Sequence, residues 1–547
     1  MQIKNWKLIL DIIILLFLFS AGAAVRLYDL NGQGPTFDES GYFKIATKIY
    51  GAIKEKTLSE EYWGVLPTHP PVGSYIHTLF YIPTLKQFST EHIKQLLTGK
   101  LTYQDGLSGE QYTSARYASV LLGTLTILIT YLFCKRFLNR TTGVIAALIL
   151  IVLPNFIPHH KIATLDSTVA FFYTLTITIF AYTLISDKWN DWIFLGILTG
   201  LGFAVKFIMV LLLPAYVLVY LVWNKEIIKK HLSEFRQAIN EKQSILKNSF
   251  NTLLTTIKEL YSWKLFLIPF IMLLVLFLTY PYLWPEPSRF TKMITFWKDG
   301  PGIEPWFGQM TEQGSLQSYY LVYFVFTTPV LILLLFLISL HYNWKNKTFW
   351  NMFVLLWFAT PFLWSFSIQK TDGMRYLTMI YPPLAILAAQ GLQHALRTPK
   401  KLFIGIAILL VYLIAIDAWI HPYYLDYYNI LIGGPKNVQE KNLLEFNWFG
   451  EGKKELVEWI NKNAEQNSAI AIKWNPSHDF AGWREDLFIF DLINRGFTGN
   501  PDYVLINHRY KQYDEKKDHF RLLLDNYKLV YTIKAGNGAL GWVYKKT

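Results

Sequence analysis

The stretch GQGPTFDESGYFKIA, Gly32–Ala46, sets Asp38 beside Glu39 directly after a long apolar run. Four other stretches carry groups that complement this acidic pair. THPPVGSY holds His69 ahead of two prolines, and SARYASVLLG holds Arg116. HHKIATLDSTVAFF holds His159, His160, Lys161 and Asp166, and QKTDGMRYL holds Lys370, Asp372 and Arg375. Carboxylates and several cations on one membrane face describe a site for an anionic lipid headgroup with a reacting hydroxyl nearby, because ionisable groups that do chemistry cluster in this way. Each group also has a plainer use. Thr36 and Glu39 fit the S/T-x-x-E capping box, and Asp38 suits the positive end of the helix they would start. Tyr42, Ile45 and Ile49 then form an apolar stripe. Asp166 can cap its own helix, and Arg116 and Arg375 can reach lipid headgroups.

The elements that must position these groups are membrane helices. The chain has 547 residues, 52% hydrophobic and 17% charged, and its apolar residues fall into blocks. About 20 apolar residues cross the hydrocarbon core at 1.5 Å per residue. About eleven such blocks are predicted, at 8–25, 115–134, 142–158, 167–185, 192–206, 208–223, 265–284, 319–340, 350–367, 376–396 and 402–420. The formal net charge of +13 comes largely from Lys and Arg in short loops, which fits membrane topology better than nucleic-acid binding. That asymmetry predicts a cytoplasmic N-terminus, and it places 26–114, 159–166, 285–318, 368–375 and the region from His421 outside the cytoplasm. The acidic pair then faces outward. The basic stretch 224–263 reads as a cytoplasmic amphipathic segment on the inner leaflet. The single cysteine, Cys134, rules out a disulfide framework. The first apolar run, which contains Asp11, reads as a retained helix rather than a cleaved signal.

The composition turns soluble after residue 420. KELVEWINKNA and HFRLLLDNY read as helices, SAIAIKW and DYVLINH as strands, and KLVYTIKAGNGALGWVYKK as a hairpin turning at Gly536–Gly538. The expected fold is thus a polytopic all-α membrane domain over 1–420, with a first outer loop at 26–114, followed by a small extracytoplasmic α/β region over 421–547.

The order of these motifs resembles the protein O-mannosyltransferase and aminoarabinose transferase superfamily of membrane glycosyltransferases. It runs from the Asp-Glu pair through HPPVG, ARYASVLLGTLTILITYLF, HHKIATLDSTVAFFYTL and GLGFAVKF to DGMRYLTMIYPPLAIL and HPYYLDYYNILIGG with FNWFGEG. The resemblance implies the GT-C fold. It also implies transfer of a sugar, with inversion, from a polyprenyl-phosphate donor to a hydroxyl of a protein Ser/Thr or of a lipid. It makes Asp38 the main catalytic carboxylate, with Glu39 its partner and Asp166 the second acid. Arg116 and Lys206 match family cations, and Arg375 and Lys161 join them as donor-phosphate ligands. His69 and Tyr42 are then substrate contacts. Ser74 stands where the mannosyltransferase motif has lysine, and His69 where the aminoarabinose branch has one.

Such a reaction needs a base for a weakly nucleophilic hydroxyl, and it needs cations for the departing phosphate. The acids could also hold Mg²⁺ or Mn²⁺, but the sequence shows no complete ligand set. The expected partners are a polyprenyl-phosphate-sugar, a protein or lipid acceptor and the bilayer, with no nucleic acid. The expected location is a plasma membrane. The alternative is a transporter or flippase for a lipid-linked saccharide. That reading calls for ionisable groups near the midplane and for internal repeats, whereas the charged motifs here sit at the ends of the apolar blocks.

Overall fold

The computed structural model describes residues 2–63, 69–89, 91, 93, 95, 113–240, 255, 259, 262–291, 303–312, 315, 317–367, 372–474, 482–492, 500–509 and 526–547. Among these, five helices are long and apolar enough to cross a membrane, or up to seven spans if each of two bent pairs is one. The chain is a multi-pass membrane protein built mainly of helices, with a small sheet region at its C-terminal end.

Helices α1 (Gln2–Leu27), α4 (Thr113–Phe137) and α5 (Arg140–Ile151) pack together, with α2 (Phe37–Glu55) and α3 (Val72–Leu85) in the first connecting segment. Next come α6 (Leu165–Ser186), α7 (Trp189–Phe203), α8 (Leu212–Trp223) and the amphipathic α9 (Lys225–Asn240). The later helices are α10 (Trp263–Thr279), α11 (Tyr319–Thr327), α12 (Val330–Lys345), α13 (Phe349–Trp364), α14 (Tyr381–Ala395) and α15 (Pro399–Ile420). At one end of the α1–α4 pair, Asp11 receives Lys135 at 2.5 Å and Arg140 at 2.7 Å, so a charge inside an apolar helix is neutralised. The acidic pair of residues 38 and 39 lies toward the opposite end.

Each predicted span contains a helix, but several depart from the continuous helix expected, three of them near the site. The helix expected at 142–158 stops at Ile151, since Pro154 and Pro158 cannot continue its hydrogen-bond ladder. A 3₁₀ turn, Pro158–His160, follows and turns the HHK motif inward. The span expected at 319–340 is two helices, α11 and α12, bent by 114° ahead of Val330, with Pro329 at the break. The span at 376–396 opens as 3₁₀ turns, Arg375–Ile380, before α14, whose first turn carries Pro382 and Pro383.

Strands β1 (Ile303–Trp306) and β2 (Gln309–Glu312) form a small antiparallel ribbon. The C-terminal sheet has the order β4-β3-β5-β7-β6. Strand β3 (Ala469–Lys473) runs parallel to β4 (Phe488–Asp491) and β5 (Tyr503–Asn507). β7 (Gly538–Lys546) pairs antiparallel with β5 and β6 (Tyr527–Ala535). Every residue of β5 is buried, as a central strand requires. The helix expected from KELVEWINKNA is α16 (Lys453–Asn463), and the hairpin turns at Gly536, whose φ of +55° suits glycine. Most of the helix expected from HFRLLLDNY, residues 519–525, lies outside the described residues, and its last residue, Tyr527, instead begins β6. Strand β4 was not among the expected elements.

Candidate active site

The first turn of α2 divides its two acids between different surroundings, because successive helical residues point about 100° apart. Glu39 is fully buried. Its Oε1 accepts from Arg116 Nε at 2.8 Å and from the Ala163 amide at 3.0 Å. Its Oε2 accepts from Arg116 Nη2 at 2.7 Å, the Thr36 amide at 2.9 Å and the Thr36 hydroxyl at 3.1 Å. Burial pushes this carboxyl up, but the Arg116 guanidinium and the two amides hold it below the usual range. Arg116 also donates to the carbonyls of Leu30 and Gly34, at 2.8 and 2.7 Å, and to Asn31 Oδ1 at 3.3 Å. Every Arg116 nitrogen therefore meets a protein acceptor, and Glu39 has no oxygen open to a substrate. The capping-box reading is the one this geometry carries for Glu39.

Asp38 faces the other way and is 23% exposed. Its Oδ2 accepts from Arg375 Nη2 at 2.5 Å. The same guanidinium donates from Nη1 to Asp372 Oδ2 at 2.7 Å and lies with Nε 3.4 Å from Asp166 Oδ2. Asp166 is buried, and its Oδ1 accepts from Lys206 Nζ at 3.0 Å. Thr378 fixes the start of α6 by donating to the Asp166 carbonyl at 3.2 Å. Lys206 Nζ sits 4.5 Å above the Tyr376 ring, and the Arg375 guanidinium lies 4.9 Å from the centre of Phe449. Two cations thus stand among three carboxylates, with Asp166 joining the cations from behind. Burial pushes Asp372 up to about 7, with Glu445 and Asp38 adding to the rise against the pull of Arg375. Tyr42 is buried beside this cluster; burial first, and the Asp38 charge second, raise its hydroxyl well above the usual range.

His159 Nδ1 is 4.0 Å from Asp166 Oδ2. Burial pulls its pKa down to about 4, against the raising effect of Asp166, so the ring is neutral near pH 7. The HPPVG motif supports the site from below. The Val72 amide donates to the Ala204 carbonyl at 2.9 Å, and a Cβ on Gly73 would fall 2.5 Å from Leu165 Cδ2. A side chain there would push against the residue next to Asp166, so a close backbone approach explains the glycine.

Of the residues expected from sequence, Asp38, Asp166, Lys206, Arg375 and Tyr42 come together. Arg116 joins Glu39 instead. Lys161 stands apart, donating to the Tyr28 carbonyl at 2.7 Å, and burial lowers its pKa to about 8. His69 sits three residues ahead of α3, and Lys370 lies outside the described residues. Sequence reasoning assigned no role to Trp448 and Phe449, which stack at 4.2 Å and close one side of the site. The Phe449 carbonyl accepts from the Phe37 amide at 3.1 Å, at the start of α2. The clue was FNWFGEG itself, where Asn447, Gly450 and Gly452 all adopt positive φ. Among the described residues, no group of three or more His, Cys, Asp or Glu is arranged to hold a metal ion.

A family model described as dolichyl-phosphate-mannose-protein mannosyltransferase matches residues 104–236, a stretch that contains Arg116, Lys161, Asp166 and Lys206. No curated protein sequence matches the chain. Among solved structures, ArnT from Cupriavidus metallidurans bound to undecaprenyl phosphate is similar at 12% identity and a TM-score of 0.48, covering 99% of this chain and 98% of that one. The archaeal oligosaccharyltransferase AglB from Archaeoglobus fulgidus, in complex with an inhibitory peptide and a dolichol-phosphate, gives 11% identity, a TM-score of 0.43 and coverage of 99% and 75%. The resemblance read from the order of the sequence motifs is thus met by the mannosyltransferase family model over residues 104–236.

Proposed function

We propose that this chain is an inverting membrane glycosyltransferase that moves a sugar from a polyprenyl-phosphate donor to a hydroxyl of a protein or lipid. The observation that carries it is the position of Asp38, the acid in the first turn of α2 that opens to solvent, against an arginine braced by a buried second acid. In the step proposed, an Asp38 oxygen takes the acceptor hydroxyl's proton as that oxygen attacks the anomeric carbon. The bond from that carbon to the phosphate oxygen breaks, and the phosphate leaves with the electron pair. General-base assistance of this kind contributes roughly 10²–10⁴-fold.

Arg375 and Lys206 take the departing charge. Both are buried beside aromatic rings, where screening is weaker than in water. Asp166 positions both cations. Glu39 and Arg116 hold α2 in place rather than meeting substrate, and Lys161 serves the neighbouring wall. Tyr42 lines the base, and His69 is kept as a substrate contact. Among the described residues no ligand set for a divalent ion stands ready, and no step is routed through one. The charge distribution among the loops supports the N-terminus in the cytoplasm and the site and C-terminal region outside it, and the membrane proposed is the plasma membrane.

The test is glycan transfer in cells carrying wild type, Asp38→Asn or a deletion, read by mass spectrometry of proteins and lipids. A glycan lost equally in the variant and the deletion, at unchanged protein level, supports the reading and names the acceptor. Full transfer by Asp38→Asn overturns it.

A further inference from the structure

Strand β5, buried along its whole length, ends at Asn507, and Arg509 stands two residues beyond. The chain is anchored there. The Asn507 side chain donates to the Glu451 carbonyl at 2.9 Å, and Asn447 donates to the same carbonyl at 3.3 Å and to that of Leu540 at 2.9 Å. From this base the Arg509 guanidinium carbon lies 5.6 Å from the centre of the Phe37 ring, with Nη1 3.6 Å from Glu445 Oε1. Phe37 opens α2 and directly precedes Asp38. Its amide donates to the Phe449 carbonyl, so the C-terminal region holds this turn twice, once by the backbone and once by the ring. We propose that Arg509 is a positioning residue for transfer: set over Phe37, it fixes the angle of the first turn of α2 and so the place of the Asp38 carboxylate. The inference rests on the glycosyltransferase reading above and adds that the C-terminal region takes part in the reaction.

An ion pair with Glu445 does not by itself account for Arg509. Its 3.6 Å separation is longer than the roughly 2.7–2.9 Å of a charge-assisted hydrogen bond. The Phe37 contact is within the reach of about 6 Å at which a guanidinium is drawn to an aromatic face. Glu39 and Arg116 fix the same turn from its buried side. Phe37 and Asp38 are partly exposed, so the outer side of the turn needs its own support, and Arg509 and Phe449 supply it. The Arg509 charge also reaches the working cluster. Burial raises the Asp372 carboxyl, and Arg375 and then Arg509 pull it back. Geometry of this kind matters for a base, since a misplacement of about 1 Å costs on the order of 10²-fold in rate.

For the test, cells lacking the chain are complemented with wild type, Arg509→Met, Arg509→Lys, Phe37→Leu or the double variant Phe37→Leu/Arg509→Met. Two quantities are read. One is the glycan lost on deletion, by mass spectrometry per copy of protein; the other is binding of bare polyprenyl phosphate to each purified full-length chain in nanodiscs. Arg509→Met and Phe37→Leu should each lower transfer about tenfold, and the double variant no further than the weaker single one, because one contact is being broken. Arg509→Lys keeps a cation for the ring and should restore most of the transfer. All four should bind the bare lipid as wild type does, which also shows that they fold. Wild-type transfer by Arg509→Met overturns the inference, and so does a double variant whose losses multiply. A loss that Arg509→Lys shares in full, or that comes with weakened binding of the bare lipid, overturns it too, because general damage to the fold does the same. Full transfer by Asp38→Asn, or no glycan lost on deletion, instead overturns the glycosyltransferase reading, and this inference with it.

Discussion

Two ion clusters lie on either side of one helical turn, and they differ in what they leave open. Around Glu39, one carboxylate and one guanidinium are saturated by each other and by backbone groups. Around Arg375, two cations meet three carboxylates, two of which, Asp38 and Asp372, reach solvent. A saturated buried pair fixes geometry and offers nothing to a ligand. A cluster with competing partners can exchange one of them. Adjacent residues of like charge thus divide into a frame and a working surface.

The largest expected effect separates the two. Asp38→Asn should lower transfer by roughly 10²–10⁴-fold with little change in thermal unfolding. If stability falls as much as activity, Asp38 is part of the frame and the contrast collapses. Glu39→Gln should do the reverse. Removing the charge of one partner from a buried pair costs on the order of 3–5 kcal/mol, so the fraction of monodisperse protein in detergent should drop sharply. A well-folded but inactive Glu39→Gln protein would move Glu39 to the working side. Gly73→Ala tests the support beneath Asp166. Overpacking of this kind costs roughly 1–3 kcal/mol, so a lower melting temperature is expected with a smaller loss of transfer.

The smallest effect is a slope. Asp372 is raised to about 7 in the fold from 3.8. The folded state therefore keeps a proton that the unfolded chain has released, and the Asp372 contribution to stability falls as pH rises from 3.8 toward 7, opposite in sign to that of His159. Asp372→Asn removes that contribution, so the variant's stability relative to wild type should rise with pH across the window. An unchanged slope would mean that Arg375 holds Asp372 charged, making the working cluster more like the closed one.

Much of this was legible in the chain before any coordinates. Apolar blocks and basic loops marked the helices, since a bilayer demands long apolar runs. The capping box was readable because it is a local pattern three residues long. Arg375 and Asp166 were recognisable as charged groups at helix ends on one predicted face, and Lys206 through the family resemblance. Their pairing was not, because it depends on how α6, α7 and the 3₁₀ turns at Arg375–Ile380 pack. For the same reason Arg116 could not be told from a phosphate ligand: its partners Leu30, Gly34 and Glu39 are set by a chain reversal with no sequence signature. The breaks at Ile151 and Pro329 were signalled by prolines that an average over an apolar window passes over. The wall formed by Trp448 and Phe449 joins residues far apart in sequence and leaves only its glycines as a trace.

That wall has a consequence in time. The Phe37 amide finds its acceptor on Phe449, and Arg375 finds one of its aromatic faces there too. While the polypeptide is being made, every ionic group of the site exists long before residue 449 does. The first turn of α2 then lacks this acceptor, and Arg375 lacks this face. The site is therefore completed late in the chain's synthesis, and a nascent chain stalled before that loop carries the acids and bases without this enclosure.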